Sequence, residues 1–193
     1  MLQITLATGN PHKVEEINLI SKNYNIEFIL PKGEFNPIEN SDNFLGNAYC
    51  KAFCASKSQT TQLYLADDSG LCVEALNGEP GIHSARFAPT PKERINKLLA
   101  TMEGIENRKA YFTCAMVIVN KKGEILFQTQ KYCHGEILKE EIGKNGFGYD
   151  PIFYVEEEQK GMAQLEPERK AIVSHRAKAL NEVLNWLKSE CLK

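Results

Sequence analysis

"LYLADDSGLCVEALNGEPGIHSARFA", residues 63–88, places two adjacent aspartates at the end of an apolar run and follows them with turn chemistry. "LYLAD" reads as a buried strand, and "LCVEAL" as a second strand after a turn at Ser69 and Gly70. Successive side chains of a strand point to opposite faces. Only one of Asp67 and Asp68 can therefore face a given site; the other is left to solvent, a backbone group or a basic side chain. A carboxylate at the carboxyl end of a strand suits magnesium, a hard cation that keeps several waters. An Asp-rich turn that satisfies its own backbone would use the same residues.

Outward from this stretch, the pattern is mixed α and β. "ITLA" and "IEFIL" read as strands on either side of a helix over "HKVEEINLISK", whose Val14, Ile17 and Ile20 share one face. Residues 31–43 form a polar loop. A second helix runs from Phe44 to about Ser58, with Phe44, Ala48, Ala52 and Ala55 along one stripe. Thr90, Pro91 and Glu93 make a capping box for a third helix, ending near Met102. "AYFTCAMVIVN" and "EILFQTQKYCHGEI" are long strands joined by a hairpin at "KKG". "PIFYV" is a further strand. A last helix begins near Ser174 with Ala177, Leu180, Leu184, Leu187 and Cys191 on one face. The order predicts an α/β fold: a twisted mixed sheet with helices packed on it.

The composition sets limits. The 193 residues are 42% hydrophobic and 25% charged, with a formal net charge of -2, which argues against a dedicated nucleic-acid or membrane-surface binder. The apolar runs are too short to span a bilayer, and the N-terminus enters a strand without a signal-peptide pattern; the expected location is cytoplasmic. Cysteines at 50, 54, 72, 114, 133 and 191 form no C-x-x-C pair. They read as small hydrophobes in a reducing compartment rather than disulfides or zinc ligands.

Three more stretches carry chemistry. In "TGNPHK", residues 8–13, a strand ends, Gly9 allows a turn, Asn10 is a natural N-cap and Pro11 suits the first helical position. The N–H groups of such a helix start bind anions. Lys13 in the first turn opposes the helix dipole unless an anion sits there; a plain strand-to-helix turn is the other reading. In "GFGYDPIF", residues 146–153, glycines flank aromatics that stack on a flat base or pin the loop to a core. In "ERKAIVSHRAKAL", residues 168–180, Ser174 can cap a helix with His175 and Arg176 in its first turn. Cations there call for an anionic or polar partner, or form a solvated basic face.

Taken in this order, "TGNPHK", "DDSGLCVEALNGEPGIHSARFA", "GFGYDPIF" and "SHRAKAL" resemble the inosine triphosphate pyrophosphatase family over essentially the full length. The resemblance implies an elongated mixed β-sheet flanked by helices, with two lobes and an active-site cleft between them. Residues 1–193 would form a single two-lobed domain. It implies hydrolysis of noncanonical purine nucleoside triphosphates (ITP, dITP, XTP) to the monophosphate and pyrophosphate, a magnesium requirement and a homodimer. Position by position, Thr8, Gly9, Asn10, Pro11, His12 and Lys13 would hold the triphosphate. Asp68 would be the general base and a metal ligand, with Glu39 a second acidic contact. Ser69 would touch the phosphates. Phe147, Gly148, Tyr149 and Asp150 would clasp the base and sugar, with Lys170, His175 and Arg176 completing the pocket. His175 and Arg176 would both donate to the 6-keto oxygen.

Two departures stand out. Gly46 occupies the place of the family's usual glutamate before Asn-Ala, which implies a loosened metal site and a gain on Gly46→Glu. Phe87, Ala88 and Pro89 replace the usual end of the "SARYAG" motif. A nucleotide sensor without catalysis, motivated by Gly46, is one alternative. A pyrophosphatase of the Maf-like type is another, against which the "SHR" and "FGYD" motifs argue.

Overall fold

The computed structural model describes residues 1–32 and 35–191. The chain opens with β1 (Leu2–Leu6), α1 (Pro11–Ser21) and β2 (Ile26–Ile29), followed by α2 (Phe44–Ser56) and β3 (Leu63–Val73). Next come α3 (Pro91–Thr101), β4 (Lys109–Asn120) and β5 (Ile125–Ile137). Two short strands, β6 (Phe153–Val155) and β7 (Lys160–Gly161), precede α4 (Pro167–Val173) and α5 (His175–Glu190). The seven strands form one open mixed sheet in the order β2-β1-β3-β4-β5-β6-β7. β1 is parallel to both β2 and β3, whereas β6 is antiparallel to β5 and β7.

The chain divides into two compact units: Met1–Asp68 with Cys114–Lys131 and Arg176–Lys193, and Ser69–Thr113 with Tyr132–His175. In the first, both faces of the sheet are packed. Ile4, Leu6, Leu63 and Leu65 meet Ile17 of α1 and Leu180, Val183, Leu184 and Leu187 of α5. Ala7, Tyr64 and Ala66 meet Ala48, Ala52 and Ala55 of α2. Along β3, then, odd positions face α1 and α5 and even positions face α2, as the two-residue period of a strand requires. The second unit has its own core of Leu71, Val73, Ile95, Leu98, Phe112, Ile152 and Phe153.

The helix starts follow the sequence closely. Asn10 caps α1 by accepting from the His12 N–H, and Asn43 caps α2 by accepting from the Gly46 N–H. Thr90 and Glu93 close the capping box of α3. Three elements differ from expectation. β3 runs unbroken through Asp67, Asp68, Ser69 and Gly70, so the double aspartate lies within a strand, not before a turn. "PIFYV" is only half strand, because Asp150–Ile152 is a 3-10 turn. A seven-residue helix, α4, precedes the last helix, with Ser174 between them.

The alanine stripe of α2 lets that helix approach the sheet closely. Ala52→Leu should therefore lower unfolding stability by about 1–3 kcal/mol through overpacking, read by urea denaturation. An unchanged midpoint would show that α2 is not seated tightly on Tyr64 and Ala66.

Candidate active site

β1 pairs with β3 only as far as Leu6 against Leu65. Two residues further along β3 stand Asp67 and Asp68, level with the turn that starts α1. In the sheet β2 lies on one side of the β1–β3 pair and β4 on the other, so the order diverges from this pair, and its parallel pairing ends beside the two aspartates. In open α/β sheets that is where ligands bind.

Alternation sends the two carboxylates to opposite faces, and each meets a lysine. Asp67, on the α1 and α5 face, takes Lys13 Nζ at 2.9 Å and Arg176 Nη2 at 3.2 Å on the same oxygen. Arg176 Nη1 donates to Glu16. Asp68, on the α2 face, accepts from Lys51 Nζ at 2.7 Å through Oδ1, and the same ammonium lies 3.5 Å from Glu39. Burial would push Asp67 up, but Lys13 and Arg176 hold it well below the usual carboxylate range. For Asp68 burial prevails over Lys51, and its carboxyl titrates above its ordinary value. Asp68 Oδ2 is buried and has no hydrogen-bond partner among the described residues.

Residues 146–150 are arranged by Asp150. Its Oδ2 accepts from the Phe147 N–H at 2.7 Å and from Lys170 Nζ at 2.6 Å. Gly146 has φ +76°, and a side chain there would strike Asp150 Oδ2; Gly148 has φ +63° with open space above it. Lys170 Nζ stands 4.7 Å above the half-buried Phe147 ring. His175 is buried and stacks on Phe112, with ring centroids 4.8 Å apart.

This arrangement can be set against known proteins. A model of the Ham1 family matches residues 4–186. The chain belongs to the Ham1 family. It is 43% identical to a dITP/XTP pyrophosphatase of Nostoc sp., covering 94% of this chain and 92% of the relative. It is 45% identical to one of Desulfotalea psychrophila, covering 93% and 82%. Among solved structures it is similar to a HAM1 protein of Coxiella burnetii (TM-score 0.87, 38% identity, 98% and 100% covered). The Ham1 protein of Staphylococcus aureus is also close (TM-score 0.84, 36% identity, 97% and 99% covered). The open mixed sheet is thus the family's fold.

Several residues predicted for the site sit differently in this Ham1 chain. Lys13 meets Asp67, whose carboxylate balances the cation in the first turn; an ammonium has three donors, and this pair uses one. Thr8 Oγ1 accepts from the Asn10 N–H, and a side chain at Gly9 would meet nothing within 4 Å, which leaves that turn open to an approaching group. Tyr149 is buried in the core, and its hydroxyl donates to Ser84 O at 2.9 Å. Arg176, expected to donate to a base together with His175, is buried. Its guanidinium turns to Glu16 and Asp67.

Sequence reading missed Lys51 and Glu16. Lys51 lies next to Ala48, Ala52 and Ala55, and a lysine on a buried stripe signals a buried acid. Glu16 lies one turn from Lys13, and only the fold reveals its partner on α5.

Among the described residues no three or more His, Cys, Asp or Glu gather as for a metal. Glu39 and Asp68 nevertheless converge on Lys51, and Asp68 retains an unpartnered carboxylate oxygen. Two hard oxygens of this kind fit magnesium held by one or two carboxylates, its other positions left to water and phosphate.

The two aspartates should separate experimentally. Asp67→Asn takes the shared carboxylate from Lys13 and leaves Arg176 with Glu16, in a dry setting, and should lower stability by about 3–5 kcal/mol. Asp68→Asn leaves Lys51 with Glu39 and should lower it less. Urea denaturation checks the order; the reverse order would mean Asp67 is not the structural partner.

Proposed function

We propose that this Ham1 chain hydrolyses noncanonical purine nucleoside triphosphates (ITP, dITP, XTP) to the nucleoside monophosphate and pyrophosphate. The observation that carries it is Asp68: a buried carboxylate with a raised pKa, one oxygen held by Lys51 and the other unpartnered among the described residues, just past the end of the parallel β1–β3 pairing. The relatives named dITP/XTP pyrophosphatase support the substrate class.

In this reading residues 1–193 work as one pyrophosphatase domain, a cytoplasmic homodimer. Lys13 and the N–H groups of the α1 start hold the triphosphate, with Ser69 against the phosphates. Asp68 Oδ2 takes a proton from the attacking water as its oxygen joins phosphorus, and the α–β bridging oxygen leaves with pyrophosphate. Lys51 orients Asp68 and limits the rise in its pKa. Magnesium, held by Asp68 and Glu39, would neutralise charge developing on the phosphates. Phe147 offers its ring to the base, and Lys170 stands beside it. His175 is the donor to the 6-keto oxygen. Gly46, which prompted the sensor alternative, has a packing reason described below.

The experiment is a panel of nucleoside triphosphates with magnesium, assayed for pyrophosphate. An adenine amino group would leave the donor to the 6-keto oxygen unpaired, at about 1–3 kcal/mol per group. ITP should therefore exceed ATP in kcat/KM by about tenfold or more. Asp68→Asn should remain folded and lose about 10²–10⁴-fold in rate. Equal turnover of ITP and ATP, or near-normal Asp68→Asn activity, would refute the assignment.

The pH profile tests the base directly. Asp68 works only ionised, so activity should fall at acid pH as its carboxylate is protonated. Lys51→Met removes the cation that lowers the Asp68 pKa and should move the acid limb of kcat/KM to higher pH. A limb that stays put or moves lower would exclude Asp68 as the titrating group.

A further inference from the structure

Glu39 lies in a loop without regular structure, yet its carboxylate stands at Lys51. Something must fix the chain beside it. Asn47, 1% exposed in α2, accepts the backbone N–H of Ser41 through Oδ1 at 3.0 Å. Ser41 is two residues from Glu39, and Lys51 is one helical turn beyond Asn47. The Ser41 side chain rests against Gly46: a Cβ there would fall 2.0 Å from Ser41 Oγ and 2.6 Å from Ser41 Cβ. Asn43 closes the seat, its Oδ1 accepting from the Gly46 N–H at 2.8 Å while its own N–H reaches Ser41 Oγ at 3.4 Å.

The amide itself is informative. Asn47 Nδ2 is buried without a hydrogen-bond partner among the described residues, an arrangement that disfavours folding. A residue chosen only to fill space would be apolar. An aspartate would accept the same N–H but add a third carboxylate to a region where Glu39 and Asp68 already share Lys51. The neutral acceptor is explained by what it holds.

We propose that Asn47 is a positioning residue that fixes Glu39 at the cation site by clamping Ser41 to the first turns of α2, with Gly46 as the seat. Gly46 is thus no vacated ligand position. Gly46→Glu would drive its side chain into Ser41 and displace Glu39, contrary to the gain expected from the sequence. The inference rests on the reading of Glu39 and Asp68 as cation ligands.

The test uses the full chain and three variants: Asn47→Ala, Gly46→Ala, and Gly46→Ala combined with Ser41→Gly, which removes the atoms a new Cβ would strike. Three quantities are measured: amide exchange of Ser41, binding of Mn²⁺ alone followed by its paramagnetic resonance, and the magnesium dependence of pyrophosphate release from ITP. Asn47→Ala should speed exchange at Ser41 while the amides of β3 and β4 stay protected. It should weaken Mn²⁺ binding about tenfold or more, the range for losing a residue that orients a ligand, and raise half-saturating magnesium more than it lowers the maximal rate. Gly46→Ala should act in the same direction, and Ser41→Gly should restore it. Unchanged Mn²⁺ affinity in Asn47→Ala, or no recovery in the double variant, overturns the clamp. A parent chain that neither binds Mn²⁺ nor hydrolyses ITP overturns the underlying reading instead.

Discussion

Two ionised carboxylates in adjacent positions of a buried strand are the constraint around which the first unit is built. The pleat of β3 forces Asp67 and Asp68 to opposite faces, so no single cation serves both. A buried charge without a partner is far more unfavourable than a paired one. Each face must therefore bring its own base: Lys13 from α1 with Arg176 from α5 on one side, and Lys51 from α2 on the other. The helices that supply these cations also cover the apolar parts of the same strand. Packing and charge pairing thus impose the same arrangement.

The two acids are then differentiated by the charges around them. Asp67 is enclosed by Lys13 and Arg176 and is held ionised under all ordinary conditions. Asp68 has one partnered oxygen and one open one, and burial makes it a stronger base than an exposed aspartate. Side chains of identical chemistry one residue apart are divided into a structural acid and a reactive one by their surroundings alone. Around the reactive acid, Lys51 and Glu39 supply charge, and Asn47 and Gly46 supply placement.

Much of this was legible in the sequence. Asn10 before Pro11, and Thr90-Pro91 before Glu93, mark helix starts because each satisfies local backbone donors. The alternation of Asp67 and Asp68 needed only the strand period. What escaped was nonlocal or marginal. Ser69 and Gly70 suggest a turn, but pairing within the sheet keeps β3 extended. α4 has only seven residues and little periodicity to show. Arg176 and Glu16 stand 160 positions apart, and no local pattern joins them. Tyr149 looked like a ligand-facing aromatic because its motif is glycine-rich, whereas its hydroxyl anchors the loop to Ser84. Gly46 looked like a loss because its seat against Ser41 exists only in three dimensions.

The unbroken course of β3 has a consequence for how such a chain can vary in length. From Leu63 to Asp68 the strand counts by parity: odd positions belong to one face and even positions to the other. Inserting or deleting a single residue just before the aspartates would exchange their faces. The acid enclosed by arginine and lysine would be delivered to α2, and the acid meant for chemistry would be locked beside α5. Composition would scarcely change, yet each carboxylate would inherit the other's surroundings. Length changes in this segment are therefore confined to even steps, whereas the loop before Glu39 carries no such count.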